Sequence, residues 1–547
     1  MKPKAAFPSL AAELQSHILT FLPWRDILHC TSVCKALRQT YISSSELQYI
    51  IELGGQGLLP IHNADPDNYT AIATRLRLLR DKAHAWFKFD KRSFKIVSIP
   101  DQFRFSTKFV TGGHLCLWKS QVNDGGYESV NFKIFPILPK PSQRKIERDW
   151  SQRLARPTLH THMFDTFMDP AQNLFATASY SPADGHLLSD NESFDINLGT
   201  LDGDGIHPQA AGPKLFLSEL TGYKNSGFVR QTLNLKGLGR YIALWRSLTI
   251  GDVDNVTMFG EIWSLQIWDW QHSMTSNSIV SGATNAHRTS NSASNFCFLG
   301  NDRLLIVSNE LALYSIEYMS RAPQLLARFE FLSPLSALMV DCRFTIDDVA
   351  HGSAWQTRAQ QTAWASDPKH RLLCLAMSGQ VGSPLRLIFV ISTKIFFDLD
   401  IFEGMAAPIP WENWGPSNTR VFWYQFPWKV AVTGNRVFLV VPVVPPPQDG
   451  ASRCRGMKYR IHMMDFSPLA VERRQGLGTV VKEPSTIQAI IFGGNFRTFL
   501  PYVGVVSERA YNYNEVIDLL QMWVDEDKIV LLTDGRHSER RLEVIEI

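Results

Sequence analysis

Cysteine is scarce in this 547-residue chain: seven residues, at 30, 34, 116, 297, 342, 374 and 454. An odd and scattered set excludes a disulfide framework and fits a reducing compartment. Long apolar runs are missing too. The most apolar stretch, RVFLVVPVVPPP, is broken by proline well short of the ~20 residues that cross a bilayer. The opening MKPKAAFPSLAAEL lacks the apolar centre of a secretory leader. An intracellular protein, cytoplasmic or nuclear and with no membrane partner, is the expectation. Excess charge is small, a formal net of +3 without a Lys/Arg block, so no nucleic-acid partner is expected.

Signatures of chemistry are equally thin. There is no GxxxxGK phosphate loop, no GxSxG elbow and no HExxH pair. His160 and His162 would share one face of a strand, as metal ligands do, but spacing supplies no third ligand. Leu201-Asp202-Gly203-Asp204-Gly205 fails the spacing of a calcium loop and reads as a glycine-rich turn. Asp165 and Asp169 form a carboxylate pair on paper, a coincidence without weight among 52 acidic residues. The expectation is a chain with no catalytic residue, metal or cofactor.

What is present is globular material. Hydrophobic residues make up 45% and charged residues 20%, values that argue against wholesale disorder. The length allows three or four domains, or one long β-array after a smaller unit. Two textures divide it.

Residues 7–53 read as short amphipathic helices. Leu10, Leu14, Ile18 and Leu22 recur every four residues, with Leu19 and Phe21 widening the stripe, which predicts a three-turn helix stopped by Pro23. Trp24 to Thr31 makes a second, with Ile27 and Leu28. Val33, Leu37 and Tyr41 mark a third. Ser43-Ser44-Ser45-Glu46 is a capping box for a fourth, carrying Leu47, Ile50 and Ile51 and ended by Gly54-Gly55. So much apolar side chain exceeds what a bundle this small can hide. The surplus faces either a partner or the rest of the chain.

LAAELQSHILTFLPWRDILHCTSVCKALRQTYISSSEL resembles the F-box, whose pattern is roughly LPxELxxxIlxxLpxxDLlxxxxVCkxwrxl. Leu10, Glu13, Leu14, Ile18, Leu19, Leu22, Pro23, Asp26, Leu28, Val33, Cys34, Lys35 and Arg38 match. Ala11 stands where proline is expected, and Leu37 where tryptophan is common. The resemblance, to F-box proteins of the fungal type, implies docking onto a Skp-type adaptor and through it a cullin, in an SCF ubiquitin ligase. It assigns that contact to Leu10, Leu14, Ile18, Leu19, Leu22, Pro23, Asp26, Leu28, Val33 and Cys34. Burying four or five such side chains at ~1.5–3 kcal/mol each would offset the several kcal/mol lost on association. Cys30 and Cys34 lie one helical turn apart; lacking a second Cys/His pair, they read as packed thiols and not as a zinc site.

Residues 54–83 form a linker and connecting helix, with Ile72, Leu76 and Leu79 on one face and Arg75, Arg77, Arg80 and Lys82 on a solvated one. From about residue 84 the period changes. A polar turn, a buried strand and a return strand recur about seven times: Gly112-Gly113-His114 before LCLWKS, Asp169 to Asn173 before LFATASY, Gly237 to Arg240 before YIALW and Gly300 to Arg303 before LLIV. The later copies are Asp367 to His370 before RLLCLAM, Gly434 to Arg436 before VFLVVPVV and Asp525 to Lys528 before IVLL. Units that bury too little alone must stack, and radial stacking protects their edges. Trp268-Asp269-Trp270 resembles the strand ending of a WD-type blade. Ser/Asn-rich 272–295 and proline-rich 444–456 read as loops.

The fold class expected is α+β multidomain: an all-α head at 7–53, then a large all-β domain at 84–547, a β-propeller of about seven blades. A sandwich pair or two smaller β-domains is the competitor. Function then divides between a substrate receptor that binds an unidentified protein, a scaffold without a degradation role, and a propeller enzyme with a helical cap. Trp411, Trp414, Trp423 and Trp428 cluster in one segment. Trp411 and Trp414, beside Pro410 and Gly415, are the candidate substrate-binding residues, with propeller core as the other reading.

Overall fold

The computed structural model describes residues 7–61, 71–89, 93–103, 107–122, 128–137, 145–153, 164–181, 193–218, 228–252, 257–285, 295–308, 310–331, 339–341, 364–378, 386–402, 407–424, 429–443, 458–472, 478–489, 494–512, 519–524, 527–534 and 540–547. His160, His162, Trp428, the 444–456 loop and most of 286–295 lie outside them.

Four helices form the head: α1 (Ala12–Leu19), α2 (Trp24–Val33), α3 (Lys35–Ser43) and α4 (Ser45–Gly55). α1 is two turns and not three, because Leu10 and Leu22 fall in the flanking turns. Pro23, at φ −55° and ψ 146°, is the cap of α2, where its missing N–H costs nothing. Val33 belongs to α2, and extended Cys34 separates it from α3. The cap of α4 is Ser44, one residue later than the capping box implied; its Oγ accepts from Leu47 N at 3.3 Å. The helix does end at Gly55, but neither Gly54 nor Gly55 takes the left-handed conformation. A Cβ on Gly54 would lie 2.1 Å from the Trp24 ring and one on Gly55 2.7 Å from Leu469, so both are close-approach glycines. The left-handed turn comes at Gly57, φ +66°.

The connecting helix α5 (Ile72–Lys88) runs past the boundary read at residue 83 and joins two cores. Its first half packs Leu76 and Leu79 with Tyr49 and Leu53 of the head. Its second half sends Ala85, Trp86 and Phe87 among Phe438, Ile461 and Ile545 of the body. The arginine face is only partly solvated. Arg80 Nε meets the buried Glu52 carboxylate at 3.0 Å and its Nη2 donates to Gln48 at 3.1 Å, clamping α5 on α4.

The body is a propeller of seven antiparallel blades, six four-stranded and one five-stranded; in the five-stranded one Tyr502–Asn512 lies between Lys458–Asp465 and the edge strand Thr479–Val481. Blades 1 to 4 span 107–153, 164–216, 228–285 and 295–330; blades 5 and 6 span 339–423 and 430–512. Blade 7 takes three strands from 519–546 and its outermost from Ser93–Ser98, which pairs with Arg540–Glu546 in the register Ser93↔Glu546 to Ser98↔Arg541. A strand from before blade 1 therefore closes the ring. The polar turns of the sequence are mostly the hairpins between first and second strands, with positive φ at Gly113, Asn173, Gly239, Gly300 and Gly434. Trp268-Asp269 does end the third strand of blade 3, and Asp269 meets Arg240 at 3.4 Å. Blade 6 repeats the device with Arg436 and Asp465 at 2.9 Å, the partners again 29 residues apart.

Spacing is irregular because blades 5 and 6 carry insertions. Blade 5 adds α6 (Trp411–Asn418) before its last strand; blade 6 adds α7 (Pro468–Glu472) and a hairpin, Ser485–Ala489 with Gly494–Thr498, that reaches back so that Thr498 Oγ1 accepts from Val421 N of blade 5. The head rests on the face formed by the first hairpins of blades 5 and 6. Gln56 O accepts from Asn435 Nδ2 at 2.9 Å, Gly57 O accepts from Asp367 N at 2.9 Å, and Leu58–Pro60 pairs antiparallel with Trp364–Ser366.

Candidate interaction surface of the helical head

The head's own core is small: Leu19, Ile27, Leu47 and Ile51, with Phe7, Leu22, Trp24, Leu28 and Tyr41 packed around it. Polar groups fix the first helix against the others. Gln15 is buried, donating to Leu10 O at 2.7 Å and accepting from Thr40 Oγ1 at 2.9 Å. Ser16 Oγ bonds Ser44 Oγ at 2.9 Å, tying α1 to the cap of α4. Once these contacts are made, α1 has only one apolar position wholly inside, Leu19.

The remaining apolar positions point outward. Leu14 is 53% exposed, Ile18 42%, Phe21 76% and Val33 75%. Of the ten residues assigned from the sequence, Leu14, Ile18, Pro23, Asp26 and Val33 are exposed; Leu10, Leu22, Leu28 and Cys34 are half-buried; Leu19 is core. Asp26 stands in the first turn of α2, where the helix dipole favours a carboxylate. Cys30 and Cys34 are unpaired, half-buried thiols. Among the described residues this face stays exposed, and the head's main contacts with the body are made by α4, α5 and residues 56–60.

The body corrects the aromatic assignment. Trp411 and Trp414 are 3% and 0% exposed, in the core between blades 4 and 5. Their rings stand 4.9 Å apart edge-on, and Trp414 Nε1 donates to Glu330 O at 3.0 Å. Pro410 caps α6, and a Cβ on Gly415 would collide with the Trp411 ring at 2.3 Å. Trp423, by contrast, ends an outer strand 48% exposed.

Titratable groups in the body are engaged structurally. Asp165 accepts from Leu235 N at 2.7 Å and from Thr166 N at 2.8 Å, stapling blade 2 to blade 3; burial pushes its carboxyl up to about 6, against the pull of those donors and of Lys236. Asp169 accepts from Ala171 N and Gln172 N within its own hairpin. Asp202 accepts from Asn173 Nδ2 at 2.7 Å, and Asp204 pairs with Arg148, so the 201–205 stretch is a turn with its carboxylates in use. Burial lowers His462 to about 4. Among the described residues no three His, Cys, Asp or Glu side chains form a group that holds a metal ion, and no helix is long and apolar enough to cross a membrane.

No protein-family model matches the chain, and no curated protein matches it. Among solved structures it is similar to Pyrococcus horikoshii acylaminoacyl peptidase (orthorhombic crystal form), at 8% identity and a TM-score of 0.34 over 84% of this chain and 52% of that one. The chain thus spans about half the length of that enzyme, and a likeness at this level carries no inference about activity.

Proposed function

We propose that the chain is the F-box substrate receptor of an SCF ubiquitin ligase, non-catalytic itself, intracellular, with the head docking a Skp-type adaptor and the propeller holding a protein substrate. The observation that carries the reading is the exposure of Leu14 and Ile18 on α1, Val33 on α2 and Phe21 in the turn between them, within the stretch that matches the F-box pattern. Exposed aliphatic side chains concentrated on so small a unit mark a surface for burial against a partner. The mechanism is proximity: adaptor and cullin bring the conjugating enzyme, the propeller brings the substrate, and effective concentration at the substrate lysine rises. α5 and the Gln56–Asn435 and Gly57–Asp367 hydrogen bonds support a fixed geometry between the two ends.

The experiment is co-purification of the full chain with recombinant Skp adaptor. A stable complex is expected from wild type. Leu14→Asp or Ile18→Asp should abolish it, because an unpaired carboxylate would be buried at the contact, while leaving the melting temperature nearly unchanged since both positions face solvent. Failure of the wild-type chain to bind returns the head to the status of a cap on the propeller.

A further inference from the structure

The strand that closes the ring is also the one that follows the head. Five of the six residues of Ser93–Ser98 are exposed, Phe94 at 47% and Ile96 at 49%, and among the described strands its outer edge has no partner. A strand that buries so little of itself stays in place through its neighbour and through whatever holds its two ends. Blade 6 supplies a clasp. Arg509 lies 5.3 Å over the Phe94 ring and 4.6 Å over Tyr511, and its Nη2 meets the Glu543 carboxylate at 3.1 Å. Glu543 stands opposite Ile96 in the ladder, so one guanidinium touches both the closing strand and the strand it pairs with.

The two ends of the strand are held differently. Beyond Ser98, Ile99 N donates to Arg540 O at 3.0 Å, and Phe103 is buried in the core shared by blades 7 and 1. That end belongs to the propeller. Before Ser93, three residues lead back to Phe89, a span of at most about 14 Å. Phe89 and the second half of α5 are buried with Ile545 and Ile547, and Ile545 is the residue opposite Phe94 in the ladder. α5 therefore holds the leading end of the strand beside its pairing position. The first half of α5 is held in turn by the head and by Trp364 of blade 5, which joins the core of Tyr49, Leu53, Leu76 and Leu79.

We propose that Ser93–Ser98 is a strap whose closure is coupled to the seating of the head: loosening the head frays the strap from Ser93, and loosening the strap unseats α5. A short tether keeps the strand at high effective concentration next to Arg540–Glu546. An α5 that moves removes this advantage at the Ser93 end and leaves it at the Ser98 end. The coupling is one free energy and acts equally in both directions. Fraying bares the edge of Arg540–Glu546, so the rim of blade 7 reports the state of the head. The device needs no adaptor and stands apart from the exposed face of α1 and α2.

The test is amide exchange on the full chain, read in Ser93–Ser98, in α5 and in residues 56–60, with the strand Gln324–Glu330 of blade 4 as the internal reference. Two variants loosen the head without altering blade 7: Trp364→Ala, which empties its place between α4 and α5, and the milder Asn435→Ala, which removes the donor to Gln56 O. Each should speed exchange in the strap, about tenfold at the Ser93 end and less toward Ser98, with the reference strand unchanged. Arg509→Ala loosens the strap directly and should speed exchange in α5 and residues 56–60 as well. Exchange in the strap that stays at the wild-type rate in both head variants, or a loosening by Arg509→Ala that stops at the strap, overturns the proposal.

Discussion

Head and body are made of the same apolar residues and treat them oppositely. In the strand Arg303–Val307 of blade 4, four of five residues are buried, because a blade has neighbours on both faces. In the ten-residue α2 only Ile27 is buried. A propeller consumes both faces of its strands and closes on itself; a four-helix head of under fifty residues has a core on one side and a remainder on the other. The comparison teaches that surplus apolar surface is local to the head and does not arise from a shortage of material to cover it. The body offers α4 and α5 a docking face, and α1 and α2 still point away.

The comparison can be pressed from either end. The largest effect expected is in the body: Trp414→Ala should cost about 3–5 kcal/mol and lower the melting temperature sharply, since it empties the seam of blades 4 and 5 and leaves Glu330 O without its donor. Next comes the joint inside the head. Gly54→Ala drives a methyl into the Trp24 ring and should cost about 1–3 kcal/mol, seen as faster amide exchange in α2 and α4 with the blades unaffected. A third change concerns pH. Burial raises Asp165 from 3.8 to about 6, so its contribution favours the fold fully below about pH 4 and is lost as pH rises through about 6. Burial lowers His462 from 6.5 to about 4, so its contribution is present above pH 6.5 and lost as pH falls through about 4. Asp165→Asn, which keeps an acceptor for Leu235 N, should therefore gain melting temperature over wild type progressively between pH 4.5 and 7. The smallest effect is expected of Trp423→Ala, within about 0.5 kcal/mol, because the ring ends a strand half in solvent. A Trp423 variant as damaged as the Trp414 variant would break the contrast between seam and surface.

The seven repeats were legible because every hairpin needs a polar turn before a buried strand, and glycine or asparagine had to stand where φ is positive, as at Gly239 and Asn173. The closing strand was not legible. Ser93–Ser98 has no partner strand near it in sequence, and its exposed pattern gives no buried run; its partner lies some 450 residues away. Trp411 and Trp414 were misplaced because proline and glycine around them signal a loop equally well whether a segment is free or wraps a helix against a seam. In the head, periodicity located the helices but not which side each would turn inward. Leu14, Ile18 and Leu19 look alike in the stripe, and only the packing of α1 on α3, with Gln15 bonded to Thr40, separates the inward Leu19 from the outward pair.

The measurement that tests the account most directly is the affinity of the full chain for a Skp-type adaptor, with wild type and a Leu14→Asp, Ile18→Asp variant compared beside their melting curves. The account predicts tight binding by wild type, loss of at least a hundredfold in the variant, and melting curves that superimpose. Binding by the variant as strong as by wild type, or no binding by a wild-type chain that melts cooperatively, would contradict it.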